Sequence, residues 1–349
     1  MSPQRRLPAE WQPQSGVLLT WPHKQTDFAS ELGRVETTFC IIASVISHYE
    51  RLIICSSDDD HTLHIYHLLS QTSAILENIT IYAVASNDSW ARDHGPITII
   101  ENNKAILLDF KFNGWGNKYP SNLDDAINAK LASQGAFNAP LKSLGFVLEG
   151  GSIESDGQGI LLTTTQCLLA ETRNPMLAKT DIEHQLKQFL GIEKVLWLEH
   201  GKLIGDDTDG HIDMLARFIN PETICHMRCD NPDDPHFTWL NQLKQELQTL
   251  KNLHGQAYQL IELPFPNAVY NDAGERLPAS YCNFLIINNA VLLPVYNCPQ
   301  DTQAIEVLTS CFPARKIIPI DCRTLVEQHG SLHCITMQFP TTVLDDVDC

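Results

Sequence analysis

Asn283-Phe284-Leu285-Ile286-Ile287-Asn288-Asn289-Ala290-Val291-Leu292-Leu293-Pro294 is the stretch from which the fold is read. Two short apolar runs, rich in branched and aromatic side chains, flank a pair of asparagines that tolerate the backbone of a tight turn. The segment therefore reads as a hairpin, with strands at 283–287 and 290–294. Beyond it, 302–311 has a weak helical spacing and 316–320 reads as one more strand. Outward along the chain the same vocabulary repeats. Strands are expected at 51–55, 79–84, 96–100, 105–112, 159–164, 194–198, 212–219, 223–228 and 259–263. Leu32, Val35, Phe39, Ile42, Ile46 and Tyr49 fall three or four residues apart and mark a helix with one face on a core. Weaker helical patterns occupy 61–76, 123–135, 181–190 and 236–253. The alternation recurs about five times with no linker or low-complexity tract between, which reads as one α/β domain over 1–349. Periodicity does not distinguish a doubly wound sheet from a radial arrangement of units.

Bulk composition narrows the function. The 349 residues carry 24 Lys plus Arg against 42 Asp plus Glu, a net charge of −18. So acidic a surface repels phosphate backbones and anionic lipid and gathers cations. Nucleic acid and membrane are therefore unexpected partners, and a small polycation or basic peptide is an expected one. Arg5 and Arg6 are followed by no apolar run, and no stretch has the roughly 20 apolar residues that span a bilayer. The 11 cysteines are an odd number and mostly scattered, in a chain long enough to need no staples. Reduced thiols in a cytoplasm are the expectation.

Four polar clusters stand at the ends of expected strands. They are Trp90-Ala91-Arg92-Asp93-His94-Gly95-Pro96, Leu148-Glu149-Gly150-Gly151, Asp206-Asp207-Thr208-Asp209-Gly210-His211-Ile212-Asp213, and Gly330-Ser331-Leu332-His333-Cys334-Ile335-Thr336. On a strand, His211 and Asp213 would share one face with Leu215 and Arg217. That face is either a general base with its charge partner, a pair of metal ligands, or a polar surface. Asp93 reads either as a ligand-binding acid or as a local ion pair with Arg92. Glu149, ahead of two glycines, belongs to a turn edge or to a buried site. Neighbours on an extended segment face opposite ways, so His333 is a poor base for Cys334, and His211 is the better candidate. Cys225 and Cys229 would share a strand face in the core, and no second Cys/His pair follows at zinc spacing. Phosphate-loop and dinucleotide fingerprints are absent.

Taken together and in order, these clusters resemble the agmatine deiminase and bacterial peptidylarginine deiminase family. The likeness includes Leu18-Leu19-Thr20-Trp21-Pro22, the FNGWGNKYP segment from Phe112, Arg173-Asn174-Pro175, and Leu277 through Phe284. It implies a pentein fold, a five-fold pseudo-symmetric α/β propeller of ββαβ units around a polar channel. It also implies that Cys334 is the nucleophile, His211 the general acid and base, and Glu149 the carboxylate beside that histidine. Asp93 and Asp213 would hold a guanidinium by charge-assisted hydrogen bonds. Asp207 would face a distant amine, and Trp90 and Trp115 would wall the channel. The expected reaction takes agmatine to N-carbamoylputrescine and ammonia through a covalent thiouronium, with no metal or organic cofactor. That reaction belongs to putrescine synthesis. A homodimer is a compatible assembly. The alternatives are deimination of a C-terminal peptidyl arginine, transfer of the amidino group to an amine, and non-catalytic binding of guanidines.

Overall fold

Strand pairing in the structure, a computed structural model that describes residues 5–345, repeats one scheme five times. In each case two antiparallel strands are followed by a helix and then by a third strand parallel to the second. Leu285–Ile287 and Ala290–Val295 form the hairpin of the opening segment, with Ile287 opposite Ala290 and Asn289 at φ 60°. The chain returns through the helix Gln300–Cys311 to lay Lys316–Asp321 parallel to Ala290–Val295. Ile97–Glu101, Lys104–Lys111 and Leu141–Val147 repeat the scheme across the helix Ile127–Ser133. So do Ile153–Ser155, Ile160–Thr164 and Lys194–Leu198 across Lys179–Leu190. Ala216–Asn220, Thr223–Arg228 and Gln259–Pro264 do likewise across Pro235–Thr249. The fifth unit joins the two ends of the chain. Thr336–Pro340 pairs antiparallel with Gln14–Thr20, which Arg51–Ser56 and Ile79–Ala83 extend in parallel register.

Local chemistry accounts for these elements. The helix Leu32–Ser47 buries Val35, Phe39, Ile42 and Ile46, the face expected from spacing. Asp58 caps Asp59–Ser70 by accepting from the His61 amide at 2.8 Å. Pro235 opens its helix behind the Asp234 cap. Gly191 closes Lys179–Leu190 at φ 69°, where a side chain would be strained. No helix among the described residues is long and apolar enough to cross a membrane.

Two expectations need correction. The 212–219 strand begins only at Ala216, because Ile212–Met214 forms a turn of 3₁₀ helix. Leu215 and Arg217 are also fully buried, so there is no polar surface strand here. Cys229 lies beyond the end of Thr223–Arg228, although it and Cys225 are both buried. The strands Gln14–Thr20, Leu141–Val147 and Thr336–Pro340 were not anticipated. Cys349 and the first four residues of the expected 1–349 span lie outside the described residues.

Candidate active site

The residues ahead of the first strand in each unit converge. The short helix Ala91–His94 carries Asp93 to the start of Ile97–Glu101. Gly150–Ser152 stands behind Glu149 before Ile153–Ser155, and His211 and Asp213 precede Ala216–Asn220. Asn283 precedes Leu285–Ile287, and Cys334 precedes Thr336–Pro340. These approaches are turns, not strand extensions, so their backbones pack against one another. The Arg92 amide donates to the Cys334 carbonyl at 3.1 Å, and the Gly151 amide donates to Asp93 Oδ1 at 3.0 Å.

Together they form a pocket of about 120 Å³. Its buried end holds Asp93, His211, Cys334, Trp90, Trp115 and Met214; Asp27, Asp206, Asp207, Tyr119 and His329 stand at its more exposed end. Six of the eight expected site residues thus line one cavity. Glu149 and Asp213 lie just behind it, both fully buried. A Cβ on Gly151 would lie 2.6 Å from His211 Nδ1, 3.0 Å from Asp93 Oδ1 and 3.1 Å from Asp213 Oδ2. These three groups therefore surround one point.

Hydrogen bonds hold the acids. Asp93 Oδ2 accepts from Trp115 Nε1 at 2.9 Å, and Trp115 reaches it from a turn at φ 53°. Asp213 Oδ2 accepts from Asn283 Nδ2 at 3.2 Å and faces His333 Nδ1 at 2.8 Å, while its Oδ1 is buried with no partner. A free carboxylate oxygen in a buried site suits an incoming N–H donor. The Cys334 thiol donates to Asn283 Oδ1 at 3.4 Å. Arg92 turns away from Asp93, its Nε donating to the His333 carbonyl at 3.4 Å, so the local Arg–Asp ion pair does not form.

Electrostatics favour a protonated thiol in the empty pocket. Burial, reinforced by Asp213 and Asp93, pushes the Cys334 pKa well above the ordinary cysteine value. Burial would lower His211, but Asp93, Cys167 and Glu149 outweigh it and hold the imidazole well above its usual value. Burial lifts Asp93 to about 6, with Asp213 adding to the rise and His211 opposing it. His211 Nδ1 lies 3.6 Å from Asp93 Oδ1, and its buried Nε2 makes no hydrogen bond.

Glu149, Cys167 and His211 offer ligand atoms within 4.8 Å of one another. Arg173 nevertheless occupies the carboxylate: its Nε donates to both Glu149 oxygens, at 3.0 and 3.1 Å. A guanidinium on the would-be ligand opposes a dication there, so the trio does not suit a metal. Arg173 also donates to Asp209 Oδ2 at 2.6 Å and to the Thr208 carbonyl at 2.9 Å, fastening the loop that carries His211. Arg173 stands in the Arg173-Asn174-Pro175 motif without an expected task. Asn283, Cys167 and Glu10 were also without one; a lone polar residue far along the chain carries no local signal.

The sequence model of the Porphyromonas-type peptidyl-arginine deiminase family matches residues 6–340. An agmatine deiminase of Stutzerimonas stutzeri is 30% identical, the match covering 96% of this chain and 95% of that one. A solved structure from Porphyromonas gingivalis, provisionally described as an arginine deiminase, is 46% identical with a TM-score of 0.92, covering 98% and 100% of the two chains. A cysteine-to-serine variant of C. jejuni agmatine deiminase with substrate bound is 36% identical with a TM-score of 0.90, covering 98% and 97%. An amidinotransferase of Microseira wollei shares the fold alone, at 11% identity and a TM-score of 0.53 over 95% of both chains.

Proposed function

We propose, from the premise that the chain belongs to the Porphyromonas-type peptidyl-arginine deiminase family, that it is an agmatine deiminase. It hydrolyses a C–N bond of agmatine and releases ammonia and N-carbamoylputrescine. The observation that carries the substrate is the exposed end of the pocket. Asp27, Asp206 and Asp207 stand there, and no lysine or arginine lines the pocket among the described residues. Lys118, which is near, is engaged by Asp209 Oδ1 at 2.8 Å. A free amine suits those acids, whereas the carboxylate of an arginine or of a peptide end would meet repulsion.

In this reading the guanidinium enters between Asp93 and Asp213, whose free Oδ1 takes up an N–H donor. Its positive charge favours loss of the Cys334 proton to solvent as substrate binds, supplying a thiolate that the empty pocket withholds. The sulfur attacks the central carbon. Protonated His211 then delivers its proton to the departing nitrogen, ammonia leaves, and a cationic thiouronium remains on sulfur. Water adds to that carbon as His211 takes its proton, and the C–S bond breaks to release the ureido product. Glu149, pinned by Arg173, supports the cationic histidine. Trp90 and Trp115 flank the planar group, and the residues at hand suffice without metal or organic cofactor.

The same reading carries a place in putrescine synthesis, a cytoplasmic setting, a homodimer, and one catalytic domain over the chain. A propeller of five ββαβ units is supported by the strand pairing that repeats five times. Product analysis with agmatine, free arginine and a peptide ending in arginine tests the function, with Cys334→Ser as control. Ammonia and N-carbamoylputrescine from agmatine alone, lost in the variant, is the expected result. Turnover of the peptide alone overturns the substrate, and turnover of none leaves a guanidine-binding protein.

A further inference from the structure

The imidazole next to the nucleophile has no step in the chemistry above, yet it is among the most constrained groups in the molecule. His333 is 1% exposed and both of its nitrogens meet carboxylates. Nδ1 lies 2.8 Å from Asp213 Oδ2, and Nε2 lies 2.8 Å from Glu10 Oε2. It does so from a turn, with its amide donating to Asn283 Oδ1 at 2.9 Å, so the alternation expected of an extended segment does not govern its direction. Glu10 is itself anchored: Arg217 Nη2 donates to Oε2 at 2.7 Å and the Ile286 amide donates to Oε1 at 2.7 Å.

A neutral imidazole has one N–H and one lone pair. Between two ionised carboxylates the lone pair would face negative charge at hydrogen-bond distance, and only the imidazolium satisfies both sides. We propose that His333 is a positioning residue for substrate recognition: as an imidazolium braced by Glu10, it fixes Asp213 with its free Oδ1 turned toward the guanidinium. This rests on the reading of the pocket as a guanidinium site. The imidazolium also supplies positive charge that helps Asp213 stay ionised beside Asp93 before substrate arrives.

The charged groups around the ring are Asp213, Glu10, Arg217 and Arg92. Burial, Arg217 and Arg92 pull the imidazole pKa down, and Glu10 and Asp213 pull it up. The net direction is downward, burial being the largest influence; against it stands the geometry, a carboxylate oxygen 2.8 Å from each ring nitrogen, which a neutral ring satisfies on one side only. Burial opposes ionisation of Asp213 and Glu10 as well, yet both are held below the usual carboxylate range, Asp213 chiefly by His333 and Glu10 chiefly by Arg217 and then His333. Two ionised acceptors require two donors.

The test compares wild type, His333→Asn and His333→Ala in agmatine turnover, and reads the ¹⁵N signals of histidine in the wild type. Asparagine keeps an N–H toward Asp213 but carries no charge and does not reach Glu10. His333→Asn is expected to raise KM by about 30-fold with a smaller change in kcat. Alanine is expected to lose more, with asparagine rescuing part. The wild type is expected to contain, besides His211, a second imidazole with both nitrogens protonated at neutral pH, absent from His333→Asn. An unmoved KM in His333→Asn, a fall in kcat as large as the rise in KM, or a neutral His333 imidazole overturns the proposal. The nitrogen signals need no substrate, so a wild type inactive on agmatine defeats the substrate reading and leaves this test standing. They also serve if the alanine variant fails to fold.

Discussion

In the proposed reaction, Cys334 owes its reactivity to what enters the pocket beside it. Its thiol is buried, faces Asp93 and Asp213, and donates to Asn283. Alkylation of the ligand-free protein by a small neutral reagent should therefore climb with pH only above the ordinary cysteine pKa of about 8.5. Mass spectrometry of the Cys334 peptide measures it, and a midpoint below neutrality would contradict the substrate-assisted thiolate. In the same proposal, Asp207 faces the other end of the substrate. Burial raises its pKa, with Asp206 adding to the rise, while the Tyr119 hydroxyl donates to its Oδ2 at 2.9 Å and opposes it. Asp207→Asn should raise KM for agmatine about tenfold, an ordinary charged hydrogen bond's worth, and leave kcat nearly unchanged. Steady-state kinetics decide; an equal fall in kcat would place Asp207 in the chemistry.

At the scale of elements, the site is made by turns that interrupt strands. The expected strand through His211 and Asp213 is broken by the 3₁₀ turn Ile212–Met214, which sets its acid toward Asn283 and His333 instead of along a sheet face. Gly150–Ser152 packs close enough that Gly151 has no room for a Cβ among His211, Asp93 and Asp213. Gly151→Ala should cost at least about 100-fold in kcat/KM while changing the unfolding midpoint little, since misplacing reacting groups by about 1 Å is enough. Kinetics and calorimetry on the same preparation check it: a normal rate would mean that the turn moves freely. The sequence marked this spot through its paired glycines. It gave no sign of which side chains would crowd it, because those lie in two other units.

The whole molecule is tied across its units by buried polar groups. Glu50, 1% exposed, accepts from the Asn288 amide at 2.9 Å, while Asn288 Nδ2 donates to the Gln14 carbonyl at 2.8 Å. The hairpin turn at 288–289 is thereby bound to the unit that joins the chain ends. Burial pushes Glu50 up to about 8 from 4.5. Between those values the folded protein keeps a proton that the unfolded chain gives up, so this group makes stability fall as pH rises, by up to about 1.4 kcal/mol per pH unit. Glu50→Gln keeps the acceptor and removes the titration. Its unfolding midpoint should pull ahead of wild type between pH 5.5 and pH 8, in calorimetry at both values. A pH-independent difference would mean that Glu50 is ionised in the fold.

From the sequence came most of the strand and helix inventory, the hairpin at 283–294, the acidic balance and the candidate polar residues. These follow from periodicity, turn chemistry and composition, which are properties of neighbours along the chain. Tertiary structure decided how they meet. The five repeats of strand pairing became visible only with Thr336–Pro340 set beside Gln14–Thr20, because the latter is buried throughout and the former is only five residues long and lies at the other end of the chain. Arg173 found Glu149, and His333 found Glu10 and Asp213, over separations of 24, 323 and 120 residues. A buried charge must have a partner, but the need does not name one. Only the packing of the units says which carboxylate a buried cation reaches.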